Sequence, residues 1–116
     1  MESYHLNILY VLDKISDLNF QNDVWVRQAY WDRVLNFGEA VNTLDDFCFF
    51  DEIESGTIFL SDPNDQIQLE LFVKDLLEYE ESDDPKDMLL DSKWIEITRI
   101  SLRLKRLFEA KWSGNH

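Results

Sequence analysis

Four stretches of this sequence repeat their apolar residues at the spacing of an α-helix, and only three glycines and two prolines interrupt 116 residues. This pattern restricts the fold more than any other feature. An all-β sandwich needs turn residues at short, regular intervals, and the chain does not supply them. In HLNILYVLDKISDL, Leu6, Leu9, Leu12 and Ile15 form a stripe that Ile8 and Val11 widen, predicting a first helix over 4–17. NFQNDVWVRQAYW loses the period, and Val24 and Val26 alternate with Trp25 and Arg27, as in a connector or short strand. The period returns from Val34 in Phe37, Ala40, Val41, Leu44, Phe47 and Cys48, a second helix with Glu39, Asp45 and Asp46 off the stripe.

The rest divides more sharply. SGTIFLSDPNDQ reads as a turn at Gly56, an extended piece over 57–60, and a helix start with Asp62 as N-cap, Pro63 at N1 and Asp65 at N3. The third helix continues through Leu69, Phe72, Leu76 and Tyr79, with Val73 and Leu77 beside them, and gives way to EYEESDDPKD, a solvated acidic loop. The fourth runs from near Ser92 to about Trp112, its stripe made by Trp94, Ile97, Ile100, Ser101, Leu104, Leu107 and Phe108. The expected architecture is mainly α: one domain over 1–116, a compact bundle of about four helices, and at most one or two short extended segments near 24–27 and 57–60.

With 45% apolar and 14% aromatic residues the chain can close a core despite its charge. That charge is −13, and it is unevenly placed. Residues 1–90 carry 21 acids and five basic residues, whereas residues 91–116 carry three acids and six basic ones, so the last helix is a basic element in an acidic protein. Its cations suit a helix C-terminus and can draw it against the acidic remainder. The acidic excess repels nucleic acid and anionic membrane and favours a basic partner. No apolar run approaches the ~18 to 20 residues of a membrane span. The N-terminal stretch lacks a basic start followed by an unbroken apolar run, and the single cysteine forms no internal disulfide, so a cytoplasmic protein is expected.

Catalytic and ligating patterns are sparse. The two histidines, His5 and His116, stand at the ends of the chain, and Cys48 lies in an apolar stripe beside acids that disfavour a thiolate, which marks it as a core cysteine. DPNDQ begins like a calcium loop but has Gln66, Ile67 and Val73 where aspartate or asparagine, glycine and the bidentate glutamate belong. No phosphate loop or zinc spacing occurs. The expectation is a protein without enzymatic activity, metal or cofactor.

DDFCFFDEIE, residues 45–54, is the stretch that invites a functional reading. On one continuous helix Phe49 lies about 140°, Ile53 about 180° and Phe50 about 240° from Leu44, so the three phenylalanines cannot share one core face. Either aromatic bulk is exposed among carboxylates, or the helix ends near Phe47. Carboxylates that steer an encounter and an aromatic that anchors it are the ingredients of a protein-binding surface. Asp45, Asp46, Phe49, Phe50, Asp51, Glu52 and Glu54 are its expected members, with Asp83 and Asp84 as a second patch.

The order VWVRQAYW, LDDFCFFDE, SGTIFLSD and LLDSKW, spread over 24–108, resembles a family of small bacterial proteins that includes immunity proteins. The resemblance implies a cytoplasmic antitoxin that binds and neutralises a cognate toxin domain of a contact-dependent growth inhibition or similar system. Many such toxins are basic nucleases, whose active-site cleft an acidic inhibitor can cover. Two other readings are compatible with the charge: a nucleic-acid mimic that inhibits a DNA-handling protein, and a homodimer or larger self-assembly that buries Phe49, Phe50 and Trp112.

Overall fold

The C-terminal helix forms the spine on which the remaining elements are assembled. The computed structural model describes residues 3–23, 37–80 and 85–113, and within them seven helices and no strand. These are α1 (Ser3–Ile15), α2 (Leu18–Gln21), α3 (Phe37–Asp46), α4 (Phe49–Glu54), α5 (Pro63–Glu78), α6 (Pro85–Met88) and α7 (Ser92–Trp112). The four long helices are those that the apolar periods predict. α1 makes the most extensive contact with α7, α5 packs on α7, α3 packs on α1, and α4 folds back on α3. The radius of gyration is 14.1 Å, close to the ~13 Å of a compact chain of this length.

α7 begins and ends where its stripe does. Asp91 caps it by accepting from the Lys93 amide at 3.0 Å, and Trp94, Ile97, Leu104 and Phe108 turn fully inward. Ser101, also buried, is small enough for α1 to approach, and its hydroxyl donates to the Leu12 carbonyl at 2.8 Å. α5 starts as expected: Asp62 accepts from the amides of Asn64 and Asp65, with Pro63 in the first turn, and Leu69, Phe72 and Leu76 are buried below it. Tyr79 leaves the helix in extended conformation, and its hydroxyl donates to Asp91 Oδ2 at 2.8 Å. One carboxylate thus caps α7 and fastens the end of α5.

Several expectations change. α1 ends at Ile15, before the predicted 17, because a short helix replaces the start of the connector. Asp17 caps α2 through the Phe20 amide, and Gln21 folds beneath it, donating to the carbonyls of Lys14 (2.9 Å) and Ile15 (2.8 Å) while accepting from Trp94 Nε1 (2.8 Å). This buried amide satisfies the open end of α1 and ties it to α7. Leu6, assigned to the stripe, is exposed, since Ile8, Val11, Leu12 and Ile15 set the buried face on the other side of α1.

Residues 57–60 keep the alternation of the expected extended piece without forming a strand. Ile58 and Leu60 point inward and Thr57 and Phe59 outward, as in an extended piece, but their amides are satisfied locally: Ile58 donates to the Glu52 carbonyl and Leu60 to Gln66 Oε1. Gly56 makes the preceding turn with φ +84°, a conformation that side chains resist. The other extended segment, 24–27, lies outside the described residues. The predicted acidic loop contains a helical turn, α6, that buries Met88.

The last change concerns the second helix. α3 stops at Asp46, Cys48 adopts the left-handed conformation with φ 59°, and α4 starts afresh at Phe49. The break resets the helical phase. Leu44 on α3 and Phe49 and Ile53 on α4 all reach the same core, which one continuous helix could not achieve. Cys48 itself is exposed, not a core residue. Its left-handed backbone costs about 1–2 kcal/mol, part of which the greater backbone entropy of a glycine would offset.

Candidate protein-binding surface

The elbow between α3 and α4 decides where the residues of DDFCFFDEIE point. Asp45 and Asp46 stand exposed in the last turn of α3, and Asp51 and Glu54 stand exposed on α4. Glu52 is half-buried, and its Oε2 is the one buried side-chain oxygen among the described residues without a hydrogen-bond partner. Phe50 is half-buried, leaving part of its ring among the acids. Phe49 does not belong to the surface. It has no exposed area and meets Phe108 edge-on at 6.2 Å, because the left-handed turn at Cys48 rotates it inward. Asp83 and Asp84 lie outside the described residues.

What distinguishes these carboxylates is a stretch of sequence without cations around them. From Val34 to Val73 the chain has nine acids and no basic residue. One of the nine, Asp65, meets Arg103 of α7 at 2.6 Å, and another, Asp62, caps α5. Among the described residues, Asp45, Asp46, Asp51 and Glu54 enter no ion pair. Asp51 and Glu52 gain from the positive N-terminal end of α4. Asp45 and Asp46 sit at the negative end of α3, whose last turn holds no basic residue, and each costs the fold about 0.3–1 kcal/mol there.

Four of the six cations of α7 are used elsewhere. Lys105 reaches Asp13 of α1 at 3.0 Å, Arg103 binds Asp65 and Gln68 of α5, and Arg99 pairs with Glu96 on its own helix. Lys111 donates to the Phe59 carbonyl and lies 3.6 Å from the centroid of its ring; partial burial lowers its pKa. The basic helix therefore serves as an internal counter-charge, as its position in an acidic chain suggested, and Arg103 in particular is committed to α5.

Phe50 rests on a run of rings that sequence alone could not assemble. Phe49 lies 5.7 Å from it, followed by Phe108, Trp112 stacked on Phe108 at 4.7 Å, and His5 stacked on Trp112 at 4.0 Å. Rings from α1, α4 and α7 thus back the exposed edge of Phe50, and Trp112 is packed within the chain. His5 is a member of this stack.

A further concave surface among the described residues offers little chemistry. An open depression is lined by Asp13, Ser16, Asp17, Leu18, Asn19 and Leu102, but Asp13 is held by Lys105 and Lys14 and Asp17 is the cap of α2. Among the described residues no group of histidine, cysteine and carboxylate side chains could hold a metal ion. Within them no helix is long and apolar enough to cross a membrane. Comparison of the chain with family models, with curated proteins and with solved structures gives no match.

Proposed function

We propose that the protein is a binding protein that inhibits a basic protein partner through the α3–α4 elbow, and that it acts as the immunity protein of a toxin system. The observation that carries this reading is the unneutralised set Asp45, Asp46, Asp51 and Glu54 around the half-buried ring of Phe50. A chain able to place Lys105 and Arg103 against Asp13 and Asp65 gives these four carboxylates no ion pair among the described residues, and two of them stand at a helix end where they weaken the fold. Such acids attract a cationic surface over roughly a screening length and turn away acidic ones, and the supported ring supplies desolvated area on contact. Toxin immunity rests further on the resemblance of VWVRQAYW, LDDFCFFDE, SGTIFLSD and LLDSKW to immunity proteins. A nuclease domain, basic because it binds phosphate, is the toxin class that this surface suits.

The test is to capture partners with tagged protein from its host at low salt, purify the protein retained, and assay it for nucleic-acid cleavage with and without the inhibitor. The proposal expects one basic partner whose cleavage the protein stops and the variant Asp46→Lys/Asp51→Lys/Glu54→Lys stops poorly. Equal inhibition by both proteins would place the contact elsewhere. A partner that cleaves nucleic acid equally well in the complex would remove the inhibitor role.

A further inference from the structure

A second surface lies on the outer side of α5. Ile67 and Leu71, one turn apart, are 54% and 52% exposed, and Leu77 on the flank is 54% exposed. At about 100° per residue the Ile67–Leu71 row lies opposite the buried Leu69, Phe72 and Leu76, so α5 is apolar on both sides. α7 gives the contrast. Over 21 residues it leaves a single large apolar side chain exposed, Ile95, and covers its outer side with charge. An apolar inner stripe with a polar outer face is the ordinary pattern of a helix at the surface of a globule, and α5 departs from it.

The borders of the row are acidic. Glu70 and Asp75 lie on its two sides and Glu78 continues its line; Lys74, the one cation of the helix, is exposed close to that line between Leu71 and Glu78, so the three acids leave the face with a net negative charge. Side chains at i and i+4 form the ridge that one helix inserts into the groove of another. We infer that the outer face of α5 is a docking site for an amphipathic basic helix of the protein partner, with Ile67 and Leu71 packing into its apolar stripe and Glu70, Asp75 and Glu78 pairing with lysines or arginines at the borders. A second copy of this chain is the poorer occupant, because pairing two molecules of charge −13 sets like charge against like. The inference rests on the reading that the partner is basic, but it assigns a different surface from the elbow and adds apolar selection to charge.

The test uses two synthetic peptides of identical composition and charge. One carries leucines at i, i+4, i+7 and i+11 between lysines and arginines, and the other has the same residues in scrambled order. Each is titrated into isotopically labelled full-length protein, and amide and methyl shifts are followed by NMR. The patterned peptide is expected to bind at least tenfold more tightly than the scrambled one, to perturb Ile67 and Leu71 most strongly, and to lose that tenfold advantage on Leu71→Ser, a change at an exposed site that leaves the fold intact. Equal binding of both peptides, with shifts centred on Asp45, Asp46 and Asp51, would overturn the α5 site while leaving the acidic elbow as the attractor. No binding of either peptide at low salt would count against both. A concentration-dependent dimer in sedimentation that Leu71→Ser abolishes would assign the face to a second copy and overturn the inference.

Discussion

The seam where α7 meets α1 and α5, and the elbow between α3 and α4, treat the same chemical group in opposite ways. In the seam, Asp13 and Asp65 face Lys105 and Arg103 across helix boundaries at 3.0 and 2.6 Å. In the elbow, Asp45, Asp46, Asp51 and Glu54 face water. Both regions belong to one acidic chain with the same core beneath them, so the difference is not imposed by composition. It follows from where the basic residues of α7 reach. A fold that gathers six of its eleven basic residues into its last 26 positions neutralises chiefly what lies alongside that helix. The elbow is left as a source of negative potential, and its carboxylates are placed for encounter more than for stability.

The largest effects should come from the layer that supports the elbow. Phe49→Ala removes a fully buried ring that meets Phe108, and should cost about 3–5 kcal/mol of stability in denaturant unfolding. Phe50→Ala, at the adjacent and partly buried position, should cost less in the same experiment and show its main effect in partner binding. If both variants unfold alike, the distinction between buried and surface phenylalanine fails. The Gln21 amide, which caps α1 and accepts from Trp94, is the corresponding test beneath the seam. Gln21→Leu strands buried polar groups and should destabilise by roughly 2–4 kcal/mol, read as a lowered unfolding midpoint.

Charge changes should then separate the two regions by sign. Asp46→Lys replaces an acid at the negative end of α3 with a cation and should raise stability by about 0.3–1 kcal/mol while weakening partner binding. Arg103→Met breaks an exposed pair and should lower stability by at most about 1 kcal/mol without affecting that binding. Cys48→Gly should stabilise by up to about 1 kcal/mol by relieving the left-handed turn, whereas Cys48→Val should destabilise.

The smallest effect is one of pH. The Tyr79 hydroxyl, and then the Lys93 amide, hold the Asp91 carboxyl below its ordinary value of 3.8. A carboxylate depressed in the folded state contributes stability above its unfolded pKa and loses it as pH falls through the folded one. The stability difference between the protein and Tyr79→Phe should therefore be full at neutral pH and shrink below about pH 4 in acid titrations of unfolding. A difference that persists unchanged in acid would mean that the Tyr79 hydroxyl acts other than through the Asp91 charge.

How far the sequence could be read depended on the range of the interactions. The starts of α5 and α7 were legible because their determinants are local: Asp62 and Pro63 mark one, and a stripe beginning at Trp94 marks the other. α2 was not, since its reason for existing is Gln21, whose amide is buried against a tryptophan 73 residues away. The break at Cys48 carries no glycine or proline to announce it. Its trace in the sequence was geometric, the impossibility of placing Leu44, Phe49 and Phe50 on one face, and that trace allowed two outcomes. The broken helix is the one realised. The carboxylates of the elbow were identified correctly as exposed at Asp45, Asp46, Asp51 and Glu54, while Phe49 was not, because burial of a ring is decided by the partner helix and not by its acidic neighbours.

The most direct test of the elbow's role is the association rate of the protein with its basic partner, followed by stopped flow at low and at high salt, for the unmodified chain and for Asp46→Lys/Asp51→Lys/Glu54→Lys. Electrostatic attraction by the elbow predicts that the variant associates at least ~tenfold more slowly at low salt and that the two rates converge at high salt. Equal rates at low salt would show that these three carboxylates do not guide the encounter, and would return DDFCFFDEIE to an ordinary solvated surface.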